Sequence, residues 1–151
     1  MSTNKITPGI WFTSVDGTLL TIVNYYKEIF GNDFEMNQII PLGETPSGNA
    51  EICEVQLFGQ TFSFLSTADE HHLLNDAVSF IIHCENQTEI DKFWDYFTAE
   101  GEESQCGWCI DKNGLRWQVI PNNLSELMNM PNAGEVLMSQ RRIVIEEYLK
   151  K

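Results

Sequence analysis

The feature of this sequence that most constrains its fold is a repeated pattern of one strand, one helix and three strands. In the first copy, the helix segment reads NYYKEIFG and the last hairpin reads FGQTFSF. In the second copy, the corresponding segments read KFWDYFTAEG and KNGLRWQV. Neither match is specific alone, but both occur in the same order, and together they predict an internal duplication of about 60 residues. The alternative is an unrepeated α+β sandwich with chance similarity.

The first copy of the pattern is predicted to occupy residues 6–66. Apolar residues recur at helical spacing from Thr18 to Phe30, and Gly31 after them is a common stop signal, so a helix is predicted there. The segment 43–49 is rich in Gly, Pro and Ser and is predicted to be a loop. Alternation and β-rich composition predict strands in four other segments, residues 6–13, 35–42, 50–58 and 61–66.

The second copy is predicted to occupy residues 77–121. Asn86 and Glu89 form a capping box ahead of a predicted helix that ends at Gly101. Strands are predicted at residues 77–84, 103–105, 108–111 and 115–121. Residues 124–151 have helical periodicity and are predicted to be an amphipathic tail that covers a sheet or a dimer seam, with a partner-binding helix as the alternative. We therefore predict a single α+β domain made of two β-α-β-β-β modules and a helical tail.

The composition is that of a globular protein, and it excludes several classes of function. Apolar residues make up 42% of the 151 residues, which is enough for a sizeable core. The formal net charge of −13 repels phosphate backbones, so we expect no nucleic-acid partner. No apolar run approaches the roughly 18 residues of a membrane helix, and the first residues, MSTNKITPGIWF, do not resemble a secretory signal. We therefore expect a cytoplasmic protein without a membrane partner.

Two of the four cysteines, Cys106 and Cys109, have the C-x-x-C spacing of redox pairs and zinc sites. A redox pair of the thioredoxin kind opens a helix, whereas this pair precedes a turn and a strand. In a regular strand, residues three apart point to opposite faces, which disfavours a disulfide. Zinc would require two further ligands, and no second motif supplies them. Structural cysteines are the favoured interpretation, with a redox pair or a zinc site as alternatives.

The segment CIDKNGLRWQVI resembles the last hairpin of the glyoxalase, bleomycin-resistance and extradiol-dioxygenase superfamily, which has the vicinal-oxygen-chelate fold. The closer resemblance is to its PhnB-like subgroup, often labelled 3-demethylubiquinone 3-methyltransferase-like. Other segments support it in the expected order, namely ITPGIWF, VNYYKEIFG, FGQTF, AVSFIIHCENQTEIDKFWDYF and NLSELM. The resemblance covers residues 6–121 and implies glyoxalase-like modules, each curling a mixed sheet into a half-barrel around a small-molecule cavity. It also implies a homodimer, the usual state in this superfamily.

In metal-binding members of this superfamily, the ligands lie on the first and last strands of each module. The resemblance matches these positions to Pro8, Ser63, Ala77 and Gln118. Pro and Ala have no side-chain ligand, Ser is a poor one, and Gln118 stands where the usual residue is a glutamate. Catalytic transition metals need about three His, Glu, Asp or Cys ligands. We therefore expect no metal and no other cofactor.

The resemblance and strand alternation together predict which side chains line the cavity. If Gln118 faces inward, Arg116 does so too, while Trp117 packs under the helix. The predicted pocket residues are Ile10, Phe12, Ser63, Leu65, Ser79, Ile81, Arg116 and Gln118. This mixture of apolar and polar side chains suits a small, partly aromatic ligand, and the alternative is that these side chains simply fill a small barrel. His83 is interpreted as a surface histidine, with a pocket base as the alternative.

Three functions follow from the sequence. The first is a metal-independent protein that binds a small organic ligand. The second is an enzyme of the same superfamily, a lyase, an isomerase or a dioxygenase-like protein, with an unrecognised ligand set. The third is a methyltransferase, as the subgroup label implies, although no G-x-G turn of a cofactor site occurs between a predicted strand and helix. No nucleophile or general base has an identifiable partner, so no catalytic residue is assigned.

Overall fold

The computed structural model describes residues 5–70 and 73–150. Contacts divide the chain after Leu73 into two compact units, and this boundary falls in the polar link between the two predicted modules. The first unit contains β1 (Gly9–Thr13), α1 (Leu20–Phe30), β2 (Phe34–Met36), β3 (Ile40–Thr45), β4 (Gly48–Leu57) and β5 (Gln60–Thr67). The second contains β6 (Phe80–Cys84), α2 (Gln87–Ala99), β7 (Glu102–Glu103), β8 (Trp108–Ile110), β9 (Arg116–Pro121), α3 (Leu124–Leu127), α4 (Ala133–Ser139) and α5 (Ile145–Tyr148).

In the first unit, a mixed sheet has the strand order β1-β5-β4-β2, and β3 also pairs with β4. β1 lies parallel to β5, whereas the other pairs are antiparallel. α1 buries its apolar side on one face of this sheet. Phe12 of β1 meets Phe64 of β5 edge to face, with 5.0 Å between ring centroids, and Tyr26 of α1 lies 6.3 Å from Phe12. These rings form the centre of the first core.

The second unit repeats this order, because its sheet runs β6-β9-β8-β7 with β6 parallel to β9. α2 begins as predicted, since the Asn86 side chain accepts a hydrogen bond from the backbone nitrogen of Glu89 at 2.9 Å. Phe97 of α2 stacks on Trp117 of β9 at 4.6 Å between ring centroids. Both sheets therefore place the first strand beside the last, which confirms the predicted α+β fold of two similar modules.

The segment 43–49 is not the predicted loop but part of a hairpin between β3 and β4. The turn is tight because Thr45 Oγ1 donates to the Gly48 carbonyl at 2.8 Å and accepts from the Ser47 nitrogen at 3.1 Å. Gly48 has a φ of 85°, a left-handed conformation that glycine adopts without strain. The Gly, Pro and Ser content thus indicated a turn, and its length was overestimated.

The tail belongs to the second unit, where it packs against α2. Ile143 is 0% exposed. The Gln87 side chain of α2 donates to the Ile143 carbonyl at 2.9 Å and accepts from the Ile145 nitrogen at 2.9 Å. Arg142 also reaches Asp91 of α2 at 3.3 Å. None of the helices in the two described ranges has the length and apolar character that crossing a membrane requires.

Candidate functional site

Each sheet has one face that its helix covers and one that it does not, which we call the open face. On the first sheet, the register pairs Trp11 with Leu65, and Leu65 pairs with Ile52 of β4 on its other side. Ser63 lies two residues before Leu65 and therefore points the same way. These side chains are all partly exposed. Ser63 and Leu65 thus lie on the open face, where strand alternation placed them.

Ile10 and Phe12 do not lie on this face, which corrects the prediction for both. They are buried on the helix-covered face, where Phe12 is 2% exposed and packs against α1. The predicted alternation of β1 started from Pro8, whereas the register places Gly9 beside Ser63. A shift of one residue in a strand reverses the face to which every side chain points.

Trp11 is a residue of the open face that the predicted pocket lacks. Its ring nitrogen donates to Thr67 Oγ1 at 2.8 Å, and the Thr67 hydroxyl donates to the Asp69 carbonyl at 2.9 Å. The polar edge of the indole is therefore fixed, while part of the ring stays exposed. An aromatic ring held in this way offers a platform for an apolar ligand. Trp11 could have been identified from its position in the sequence, because it stands between Ile10 and Phe12, which both point to the core.

A polar groove of about 390 Å³ lies at the edge of the first sheet where β2 meets β4. Its lining consists of Glu35, Met36, Asn37, Glu54 and Gln56. The Asn37 side-chain amide donates to Glu54 Oε1 at 3.3 Å. The groove offers carboxylate and amide oxygens, which accept hydrogen bonds from donors such as amines. No sequence pattern predicted it, because it depends on which strands become neighbours.

On the open face of the second sheet, Gln118 occupies a central position. It pairs with Ile81 on one side and with Trp108 on the other. Its side-chain amide donates to Ser79 Oγ at 2.9 Å. The apolar side chains on this face are Ile81, Trp108, Ile110 and Ile120. The predicted pocket residues Ser79, Ile81 and Gln118 are thus brought together in an apolar surrounding.

Arg116 lies on the same strand face, but its guanidinium is engaged within the unit. It forms an ion pair with Asp76 at 2.9 Å, and its side chain is only 17% exposed. It also donates to the carbonyls of Leu74 and Gly114, at 2.9 and 2.8 Å. Arg116 therefore fastens residues 74–76 to the β9 hairpin. Its Nε and Nη1 donors are engaged in these contacts, so we assign it a positioning role.

The side chains at the expected ligand positions do not fit a transition metal. The register places Gly9 beside Ser63 and Ile81 beside Gln118, so each sheet contributes only one polar side chain. Within residues 5–70 and 73–150, no group of three His, Cys, Asp or Glu residues is placed to hold a metal ion. His83 is exposed on the open face of the second sheet, beside Ile120, and belongs to no such group of three. No metal-dependent step can be derived from this donor set.

The four cysteines are free thiols, but their surroundings differ. Burial raises the pKa of Cys84 and of Cys109 to about 12 and also raises that of Cys53. Cys106 is the partly exposed one, and it lies in a turn before β8 rather than in a strand. Three of the thiols are therefore shielded from solvent, among them Cys109 of the C-x-x-C pair, and Cys106 differs from them in its access to solvent.

Comparison with known proteins gives one family and a consistent fold. The family model of 3-demethylubiquinone-9 3-methyltransferase matches residues 4–120. The PhnB protein from Bacillus cereus is similar at a TM-score of 0.64 with 23% identity, covering 78% of this chain and 99% of that one. Protein PA1353 from Pseudomonas aeruginosa is similar at a TM-score of 0.57 with 14% identity, covering 79% of this chain and 98% of that one. The fosfomycin resistance protein FosX from Listeria monocytogenes is similar at a TM-score of 0.51 with 11% identity, covering 81% of this chain and 94% of that one. No curated protein matches the chain.

Proposed function

The chain belongs to the 3-demethylubiquinone-9 3-methyltransferase family, within the vicinal-oxygen-chelate superfamily, and from this premise we propose that it is a metal-independent protein that binds a small organic ligand. The observation that carries the proposal is the chemistry of the two open faces. Each combines a partly exposed tryptophan, Trp11 or Trp108, with aliphatic side chains and one central polar residue, Ser63 or Gln118. Such a lining favours apolar and aromatic ligands that carry one or two hydrogen-bonding groups.

The ligand is best sought by a thermal-shift screen of small aromatic and heteroaromatic compounds, followed by titration of tryptophan fluorescence. We expect that Leu65→Ala on the open face weakens binding of a hit about tenfold, because a buried leucine contributes roughly 1.5 kcal/mol or more to apolar contact. Leu20→Ala is the matched control, since Leu20 is 60% exposed and lies on α1. Equal affinities of the two variants, and of Ile81→Ala, would remove the open faces as the site.

A separate prediction concerns the metal content of the protein. The purified protein is expected to carry much less than one equivalent of transition metal per chain, because Ser63 and Gln118 are the only polar side chains at the matched positions. Elemental analysis checks this before and after treatment with a chelator. A stoichiometric metal that is lost in Gln118→Ala would contradict the prediction and favour an enzyme of the superfamily.

A methyltransferase is the second candidate, and the family description alone favours it. Binding of S-adenosylmethionine separates it from the first candidate, because a methyltransferase must hold that cofactor in its own site. Isothermal titration of S-adenosylmethionine into the purified chain, with the demethylated product S-adenosylhomocysteine as a second titrant, gives the answer. Saturable binding of both would replace the proposal of a ligand-binding protein by that of a methyltransferase.

We also propose that the protein is cytoplasmic, since free thiols persist in a reducing compartment. We further propose that it is a homodimer. Several large apolar side chains remain exposed in the single chain, including Val78 at 70% and Met138 at 70%. A two-fold interface of more than about 1,000 Å² would cover such residues. Light scattering at micromolar concentration is expected to give twice the chain mass, and a monomer would contradict this expectation.

A further inference from the structure

The turn between β8 and β9 contains the single Asn-Gly pair of the sequence, Asn113-Gly114. Gly114 has a φ of 88°, a left-handed conformation that glycine adopts without strain, so the turn itself requires the glycine. A Cβ at Gly114 would meet nothing closer than the Leu74 side chain at 3.8 Å. Because glycine has no side chain, its backbone nitrogen can approach the side-chain carbonyl carbon of a preceding asparagine without steric hindrance.

Hydrogen bonds to Asp111 keep this turn closed. The Gly114 nitrogen donates to the Asp111 carbonyl at 3.0 Å, and the Asp111 nitrogen donates to the Leu115 carbonyl at 2.9 Å. The Asp111 carboxylate adds two bonds, because its Oδ1 accepts from the nitrogens of Asn113 and Leu115 at 2.8 and 3.1 Å. The Gly114 N–H is thus directed at Asp111, and its nitrogen is held there as long as the turn stays closed.

The side-chain amide of Asn113 is the second group that a reaction at this pair requires. Its nitrogen is buried and has no hydrogen-bond partner within residues 5–70 and 73–150. A buried donor without an acceptor is destabilising, and it gains hydrogen bonds to water when the turn opens. The closed turn therefore holds the attacking nitrogen and keeps water from the amide, whereas opening frees the nitrogen and solvates the amide.

We propose that Asn113 is a site of spontaneous deamidation and that Asp111 controls the rate by holding the turn closed. When the turn opens, the Gly114 nitrogen attacks the side-chain carbonyl carbon of Asn113. A new C–N bond forms, the bond to the amide nitrogen breaks, and the proton of the Gly114 nitrogen leaves with the amide group as ammonia. Water then opens the cyclic imide at either carbonyl and gives aspartate or isoaspartate, so the reaction consumes water and needs no oxidant or reductant.

Either product would weaken the hairpin at the edge of the second open face. Isoaspartate lengthens the backbone by one methylene group just before Gly114, and aspartate places a second negative charge near the carboxylate of Asp111. Arg116 depends on this hairpin, because it donates to the carbonyls of Gly114 and Leu74 at 2.8 and 2.9 Å. Deamidation would therefore loosen the segment before β6 that Arg116 fastens. The reaction needs no bound ligand, so its test is independent of the proposed function.

The test incubates the full chain at mildly alkaline pH and follows each asparagine by peptide mass spectrometry, with separation of the aspartate and isoaspartate peptides. The same incubation in urea gives the rate in the unfolded chain. Conversion of Asn113 is expected to be at least about tenfold slower in the folded chain, the effect of one hydrogen bond to a charged group. Asp111→Ala should speed conversion in the folded chain about tenfold, whereas Lys112→Ala, the matched control from the same turn, should leave it unchanged.

A second measurement uses the unmutated chain and therefore does not depend on how the variants fold. Hydrogen exchange of the Gly114 amide gives the fraction of time for which the turn is open. The deamidation rate of the folded chain, divided by that of the unfolded chain, is expected to equal this fraction within about threefold.

Three results would overturn the proposal. Conversion of other asparagines ahead of Asn113 in the folded chain would remove the site. Equal rates in folded Asp111→Ala and Lys112→Ala would remove the control by Asp111. Deamidation of the folded chain far faster than the open fraction of Gly114 allows would show that the closed turn reacts, which also contradicts the proposal.

Discussion

Replacement of Asp111 by alanine is expected to lower the free energy of unfolding by about 3 kcal/mol, because it removes the acceptor of several buried donors. Asp111 is 2% exposed. Its Oδ1 accepts from the backbone nitrogens of Asn113 and Leu115, at 2.8 and 3.1 Å, and its Oδ2 accepts from the ring nitrogen of Trp117 at 2.8 Å. One carboxylate therefore holds both the turn between β8 and β9 and the indole at the centre of the second core.

Denaturant unfolding followed by circular dichroism measures this loss. Lys112→Ala is the matched control from the same turn, because the exposed ion pair of Lys112 with Glu100, at 3.2 Å, is expected to contribute no more than about 0.5 kcal/mol. Asp111→Asn keeps one oxygen and is expected to fall between the two. If Asp111→Ala unfolds at the same denaturant concentration as Lys112→Ala, the carboxylate does not hold the hairpin.

Local signals in the sequence were sufficient for most elements of the fold. The N-terminus of α2 was predicted correctly because the capping bond joins Asn86 to Glu89, three residues away. The two faces of β9 were also correct, since alternation within one strand does not depend on its neighbours. The hairpin CIDKNGLRWQVI was recognised by its resemblance to a family pattern. Part of its physical reason, the hydrogen bond that the Trp117 ring nitrogen donates to Asp111, became visible only in the structure.

What the sequence could not supply is the register between strands that are distant along the chain. Residues 10 and 12 were assigned to the open face because β1 was aligned from Pro8, and the parallel pairing that places Gly9 beside Ser63 reverses that assignment. The ion pair of Arg116 could not be predicted for the same reason, since its partner Asp76 is 40 residues away. Such pairings follow from the packing of the whole unit, and no local pattern encodes them.

The second large effect is expected for Ile143→Ala in the tail. Ile143 is 0% exposed, and truncation of a fully buried isoleucine costs roughly 2–5 kcal/mol through lost apolar contact and the cavity left behind. The cost should approach the upper end, because Ile143 lies on the turn that contains Gly107. A Cβ at Gly107 would come within 3.0 Å of Ile143 Cγ1, so the two residues are in close contact. A cavity at this place would also loosen the turn that carries Cys106.

Leu149→Ala is the matched control in the same tail, because Leu149 is 54% exposed and its truncation should change the free energy of unfolding by about 0.5 kcal/mol or less. Denaturant unfolding of both variants, together with hydrogen exchange of the Cys106 and Gly107 amides, separates a structural tail from a partner-binding one. In a structural tail, Ile143→Ala lowers stability and speeds exchange of these two amides, whose acceptors are tail carbonyls. If Ile143→Ala matches Leu149→Ala in both measurements, the tail does not stabilise its own unit, and its apolar side chains are left for a partner to cover.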